Sequence, residues 1–224
     1  MNHSVVKTLV MKDWQFNFWP LLAYLVLGLI GLVMLSAESK ALFYIGSVLL
    51  LSMVIIVSAH LVFTTIIGER QEQNLAFIMS LPVTFMQYTQ AKIIANLGAF
   101  FTVWLILVLG TLTVIYSAAE IPNGLVVYSM ILLLELFAVF ALVMSVGLVT
   151  ESNAITIVVV TVTNIALSMF MFWMSSIDAI GLHMNAAEPV WNTTAMSIVG
   201  LEVLFILLCL GATFYFQSRK RDFV

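Results

Sequence analysis

The sequence predicts an all-α membrane protein with six transmembrane helices. Of its 224 residues, 63% are hydrophobic and 8% are charged, and the mean hydropathy is +1.16. A soluble domain carries about 25% charged residues. Inside a bilayer every backbone polar group must be paired within the chain, so a spanning segment is a helix or part of a closed barrel. The apolar runs are long and lack the alternation of barrel strands, which indicates helices.

Six apolar runs reach the roughly 20 residues that a helix needs to cross the hydrocarbon core. An even number of spans puts both termini on one side of the membrane. Seven of the eight Lys and Arg residues then lie on that side, and Lys40 lies alone on the other. The positive-inside rule therefore predicts that both termini are cytoplasmic. The predicted spans are 18–35, 41–67, 93–116, 125–149, 154–174 and 195–216.

Residues 1–17 precede the first span and have an amphipathic pattern. Lys12 and Asp13 belong to its polar part, while apolar side chains fall near one helical face. This pattern predicts a helix that lies in the cytoplasmic membrane interface. The alternative is that the stretch extends the first span. The apolar face consists of Val5, Val6, Leu9, Val10 and Trp14.

The gap between the second and third spans, residues 68–92, is long, and its sequence has the pattern of a short helix. Leu75, Ile78 and Met79 have the i, i+3, i+4 spacing of an apolar stripe on a helix. Pro82 ends that helix, because the residue before a proline disfavours the helical conformation. Such a short amphipathic helix fits the membrane interface or a groove on a partner protein. The alternative is a solvated helical connector.

Helix starts are also visible in two of the gaps. Thr84 followed by Gln87 matches a capping box, which begins a helix leading into the third span. Asn153 is the candidate N-cap of the fifth span. The gap 175–194 is long and predicted to be external, with Trp173 and Trp191 near its edges, as expected for side chains anchored at the membrane surface.

Three ionisable residues fall inside the spans and form a possible intramembrane polar site: Glu135, His60 and Glu202. A carboxylate near the middle of a span costs a few kcal/mol and by default marks function. The structural interpretation of Glu135 is an interhelical hydrogen bond to Asn164 or Thr161. His60 is more typical of a hydrogen-bonded structural residue. Glu202 is close enough to the external side to reach that interface.

The sequence lacks the motifs of several classes of function. The chain has no phosphate-binding loop of the G-x-x-x-x-G-K-[ST] type and no H-E-x-x-H metal motif. It also lacks the basic tract expected of a nucleic-acid binder. We therefore expect no cofactor in this chain. One open alternative is an ion-coupled secondary transporter or channel that uses Glu135 as a proton site.

Part of the connector resembles a known signature. Glu69-Arg70, then Leu75, then Ser80-Leu81-Pro82-Val83, and finally Lys92 resemble the corresponding segment of ABC-2-type transporter permeases. These are the six-span membrane subunits of bacterial ABC exporters with a type V exporter-like fold. The resemblance extends to the layout of the whole chain, including the amphipathic N-terminus and the long gap between the last two spans.

The resemblance implies a transport subunit of the bacterial inner membrane that is not itself an enzyme. Two copies of a cytoplasmic ABC ATPase would bind ATP and Mg, and a second permease copy or homologue would complete the path. Residues 68–92 would hold the coupling helix, and residues 175–194 would form a re-entrant or external cap. The cargo would be hydrophobic or amphipathic. The implied ATPase-coupling residues are Glu69, Arg70, Leu75, Ile78, Met79, Leu81 and Pro82.

Overall fold

A computed structural model of the chain describes residues 3–71 and 84–220, and all regular structure within these ranges is helical. The second helix continues through a π-helical turn, Phe63–Ile67, into a short third helix. In chain order the helices are α1 (His3–Leu35), α2 (Lys40–Val62), α3 (Gly68–Gln71), α4 (Phe85–Ser117), α5 (Leu125–Thr150), α6 (Asn153–Ser176), α7 (Asp178–Gly181) and α8 (Thr193–Arg219).

Within the described ranges, α1, α2, α4, α5, α6 and α8 are long and apolar enough to cross a membrane. Each contains one of the six predicted spans, α2 together with the π-helical turn that follows it, so the prediction of a six-span helical protein is confirmed at this level. The fourth helix starts well before the apolar run that begins at residue 93. The reason is the capping box: Thr84 accepts from the Gln87 amide, and the Gln87 side chain accepts from the Thr84 amide, as predicted.

The segment 1–17 is not a separate interfacial helix where it is described. α1 runs from His3 to Leu35 and includes Pro20 within its length. Asp13 and Asn17 are buried against α2 and α4, where they find hydrogen-bond partners. A polar side chain buried with a partner has no reason to turn toward the membrane surface. The other interpretation of the sequence, in which this segment extends the first span, agrees with α1.

α5 is the most buried of the six long helices, and α6 is the least buried. α5 packs on α4 through aromatic rings: Phe140 stacks on Phe100, with centroids 4.0 Å apart and ring planes 10° from parallel. Trp104 adds a hydrogen bond from its indole N–H to the Leu133 carbonyl, at 2.7 Å. α5 is therefore the central helix, and α6 presents most of its apolar side chains outward.

The turn between α5 and α6 is held by an ion pair with Lys220, the residue that follows α8. Glu151 has a left-handed backbone, with φ of 59°, and its carboxylate binds Lys220 Nζ at 2.6 Å. Ser152, rather than the predicted Asn153, is the N-cap, because its hydroxyl accepts from the Ile155 amide. The prediction was wrong by one residue, since Ser and Asn are both good caps and the sequence alone does not choose between them.

α1 and α2 approach closely at two glycines. A Cβ atom added to Gly46 would lie 2.6 Å from the Gly31 carbonyl oxygen and 2.9 Å from the Leu35 nitrogen. Both neighbours are backbone atoms, which do not move aside as a side chain does. Small residues allow such backbone contact between membrane helices. Gly211 in α8, by contrast, has open space at its Cβ position.

Substituting Gly46 with valine is expected to destabilise the protein by about 1–3 kcal/mol, since the added methyl groups force the two backbones apart. The measurement is the thermal midpoint of the detergent-solubilised protein, followed by size-exclusion chromatography of heated samples. Gly211→Val is the matched control and should leave the midpoint near that of the wild type. Equal midpoints for both variants would contradict the close contact.

Candidate functional site

Four charged side chains from α1, α3 and α4 form one cluster. Lys92 Nζ lies 2.7 Å from Asp13 Oδ2 and 2.7 Å from Glu69 Oε2. Lys12 Nζ binds Glu69 Oε1 and lies 3.4 Å from Asp13 Oδ1. We call Lys12, Asp13, Glu69 and Lys92 the charge cluster. It contains two cations and two anions, so the charges cancel within it.

The charge cluster is deeply buried. Lys92 is 1% exposed and Asp13 is 4% exposed, and only Lys12 reaches the surface. Charged side chains are almost never buried in this way unless they are paired. Desolvation is expensive, and it is offset only by good geometry and additional hydrogen bonds. The Tyr88 hydroxyl supplies one such bond to Glu69 Oε2, at 3.2 Å.

The ionisation of Glu69 reflects the same balance. Burial by itself would raise the pKa of the Glu69 carboxyl, but the ammonium groups of Lys92 and Lys12 outweigh burial and hold this pKa below its ordinary value. Opposite charges at hydrogen-bond distance favour the charged form of a carboxyl group. Glu69 is therefore a carboxylate at neutral pH, and its pairing with the two lysines is maintained.

A neutral polar network continues from the charge cluster along α1 and α2. The Asn17 amide donates to the Asp13 carbonyl at 2.8 Å, and Asn17 Oδ1 accepts from Thr64 at 3.0 Å and from His60 Nε2 at 3.1 Å. His60 Nδ1 then accepts from the Tyr24 hydroxyl, at 3.4 Å. His60 is a hydrogen-bonded member of the helix packing, as the sequence favoured. The described residues contain no group of three or more His, Cys, Asp or Glu side chains arranged to hold a metal ion.

The charge cluster holds both flanks of the segment 72–83. Glu69 lies in α3, two residues past the second span, and Lys92 lies two turns into α4. Glu69 binds Lys12 and Lys92 binds Asp13, and these two partners are adjacent residues of α1. Displacing either flank would therefore pull on α1, α2 and α4 together. This arrangement suits a mechanical link between the connector and the spans.

The predicted coupling residues divide into two groups. Glu69 and Arg70 lie in α3, and the Glu69 carboxylate is bound by Lys12, Lys92 and Tyr88 of its own chain. Its observed position makes Glu69 an anchor of the connector. The predicted apolar stripe and its proline lie outside the described residues, so the coupling helix stays a prediction. These residues are Leu75, Ile78, Met79, Leu81 and Pro82.

Sequence reasoning missed three members of the charge cluster as site residues, and Lys92 entered only as part of the resembling signature. Lys12 and Asp13 were assigned only to the polar part of an interfacial helix. A signal was present: Asp13 is the only acidic residue in α1, and Lys92 precedes a long apolar run. A charge of each sign next to an apolar run needs a partner, although the sequence does not say that these two residues meet.

A second polar feature lies between α5, α6 and α8. Glu135 and Glu202 line the same cavity, with a volume of about 410 Å³. Glu202 is 6% exposed, and within the described ranges neither of its carboxylate oxygens has a hydrogen-bond partner. We call these two residues the carboxyl pair. Glu202 is buried against its neighbouring helices, and its reach to the external interface stays a prediction.

The hydrogen bond predicted between Glu135 and α6 is also absent from the described structure. Asn164 donates to the Val160 carbonyl at 2.8 Å, and Thr161 donates to the Ile157 carbonyl at 2.9 Å. Both bonds lie within α6 itself. A short polar side chain on a helix readily satisfies itself on the carbonyl four residues earlier. Glu135 instead shares its cavity with Glu202 of α8.

The fold and the two polar features define a class: an all-helical, multi-pass membrane protein with a buried charge cluster at one end and a carboxyl pair within its helices. No protein-family model matches the chain, and neither the curated proteins nor the solved structures contain a match. What the protein does must therefore be argued from its own residues.

Proposed function

We propose that the chain is the transmembrane permease subunit of an ATP-binding cassette exporter of the bacterial inner membrane. A separate ATPase subunit, in two copies, drives it with ATP and Mg, and a second permease copy or homologue completes the path. Both termini are cytoplasmic in this proposal. It is supported by the six long apolar helices and by the resemblance of residues 68–92 to the ABC-2 permease signature.

The charge cluster carries the proposal. Two residues of the resembling signature, Glu69 and Lys92, are 23 positions apart yet bind each other and the same part of α1. A connector anchored at both flanks moves with its spans as one body. When the ATPases close on ATP, the displaced connector would rotate α1, α2 and α4 together. Rigid-body rotation of packed helices is a common form of conformational switching.

The cargo is hydrophobic or amphipathic in this proposal. Residues 54–63 of the second span and 155–171 of α6 are mostly apolar, with 20 apolar residues among 27. On α6 several of these side chains are exposed, including Val158, Val162 and Ile165. A path lined by such side chains offers few hydrogen bonds and favours a cargo that carries its own apolar surface.

Co-purification with an ATPase tests the proposal. The tagged chain, extracted from native membranes with a mild detergent, is expected to recover an ABC ATPase and to support ATP-dependent transport after reconstitution. Leu75→Glu combined with Ile78→Glu removes the predicted apolar stripe, and we expect at least tenfold less ATPase to be recovered. Lys7→Glu, an exposed residue of α1, is the matched control and should recover the wild-type amount.

Transport without an ATPase would favour the other function considered from the sequence, an ion-coupled transporter or channel. If the chain purifies without an ATPase and transports in response to a proton gradient without ATP, the permease proposal is refuted. An ion-coupled secondary transporter or channel with Glu135 as its proton site would then explain the protein better. The observation that favours this alternative is that Glu135 and Glu202 line the same cavity.

A further inference from the structure

Glu202 is a buried acid without a partner among the described residues. Its side chain is 6% exposed, lines the cavity between α5, α6 and α8, and has no hydrogen bond to either carboxylate oxygen. Buried polar groups in proteins are almost always hydrogen-bonded, so an exception needs an explanation. A group that enters the cavity and interacts with these oxygens would provide one.

The carboxyl pair brings a second acid to the same place. Glu135 is ten residues into α5 and Glu202 is nine residues into α8. At 1.5 Å per residue, both lie about 14–15 Å along their helices. These helices run in the same direction, because Ser145 of α5 bonds to the Cys209 carbonyl of α8 and Gln217 bonds to the Leu148 carbonyl. The two acids are therefore at one level of the bundle.

The rest of the cavity is apolar and aromatic. Phe170 and Trp173 of α6 and Phe205 of α8 line it, together with leucine and isoleucine side chains. Trp173 and Phe205 are exposed on the outer face of the chain, so the cavity is reached from the side. Its volume, about 410 Å³, falls within the range of sites that hold drug-sized molecules.

Charge and shape together identify the class of ligand. Two acids attract a cation, and aromatic faces bind organic cations through the ring quadrupole. Hard metal ions such as calcium take six to eight oxygen ligands, and the remaining lining of this cavity is hydrocarbon and aromatic. A ligand with one positive centre and apolar groups satisfies both parts of the site.

We propose that this cavity binds an amphipathic organic cation, with its charged centre between Glu135 and Glu202 and its apolar groups against Phe170, Trp173 and Phe205. The site takes its ligand laterally, from the apolar surroundings of α6 and α8. As a cargo site it rests on the proposed export function and narrows the cargo to lipophilic cations. Binding itself requires neither ATP nor an ATPase.

Binding of tetraphenylphosphonium tests the proposal. The full chain in nanodiscs is dialysed to equilibrium against the radiolabelled cation, and binding to empty nanodiscs is subtracted. We expect saturable binding, at least tenfold weaker in Glu202→Gln and also weaker in Glu135→Gln. Glu120→Gln, at an exposed acid outside the spans, is the matched control and should bind as the wild type does. Phe205→Ala tests the apolar half and should also weaken binding.

Tetraphenylborate, an anion of the same shape, separates charge recognition from partition into an apolar space. It should show no saturable binding above that of empty nanodiscs. The proposal is overturned if the phosphonium shows none either, if both glutamine variants bind it as the wild type does, or if the borate binds equally well. Each variant is first shown to elute as the wild type does in size-exclusion chromatography.

This outcome is distinguishable from that of the export proposal. If tetraphenylphosphonium fails to bind but an ABC ATPase co-purifies, the ligand class is wrong and the permease assignment stands. If the cation binds but no ATPase is recovered, the cavity is a cation site in a protein with another function.

Discussion

Replacing Lys92 with methionine is expected to lower the free energy of unfolding by about 3–5 kcal/mol, the usual cost of removing one partner from a buried ion pair. Lys92 Nζ is bound to both Asp13 and Glu69, at 2.7 Å each. Without it, two carboxylates remain in the charge cluster with only the surface-reaching Lys12 to balance them. The measurement is an SDS titration in mixed micelles, followed by circular dichroism.

A compensated variant distinguishes charge from packing. Lys92→Met combined with Asp13→Asn and Glu69→Gln removes both unbalanced anions, and we expect it to recover most of the lost stability, because neutral replacements carry no uncompensated charge. Lys40→Met, at an exposed position, is the control for losing a lysine and should be nearly neutral. If the triple variant is as unstable as Lys92→Met, the loss comes from packing and the electrostatic account is wrong.

Replacing Phe140 with alanine is expected to cost about 3 kcal/mol or more, within the range for large-to-small substitutions in cores. The Phe140 ring is fully buried and stacks on Phe100, at the contact between α4 and the central helix α5. Lipid tails are as apolar as this core, so the loss comes from missing packing contacts rather than from exposure to water. The same SDS titration measures it.

Phe172→Ala is the matched control, since Phe172 is exposed on the outer face of α6. Removing its ring leaves a surface that lipid fills, so the free energy of unfolding should change by less than about 0.5 kcal/mol. Equal losses for the two alanine variants would mean that the ring stack between α4 and α5 contributes nothing beyond apolar surface.

The spans were predictable because the signal for each one is local. Some 20 consecutive apolar residues specify a membrane helix whatever lies elsewhere in the chain. The Thr84–Gln87 capping box was predictable for the same reason, since the two residues bond each other within one turn. The local signal for the start of α6 was ambiguous, because Ser152 and Asn153 are both good N-caps. The structure has Ser152 in that position.

The charge cluster was not predictable from local patterns. Its members come from α1, α3 and α4, and the bond from Lys92 to Asp13 joins residues 79 positions apart. Hydrophobic periodicity says which residues form a helix, but not which helix packs beside it. The interfacial helix failed for this reason: a charged face looks solvent-directed until another helix is known to supply its partners. The shared cavity of Glu202 and Glu135 was likewise not predictable, because the packing of α8 beside α5 is not visible in the sequence.

The separation of Asp13 from Lys92 also sets an order of assembly. At translation rates of about 5–20 residues per second, the 79 positions between them take roughly 4–16 seconds to synthesise. During that interval α1 is complete, but Lys92, which binds Asp13 at 2.7 Å, has not yet been synthesised. α1 therefore stays only partly packed until α4 has emerged from the ribosome. We therefore expect the first three spans to complete their packing together, because the charge cluster joins side chains of α1, α3 and α4.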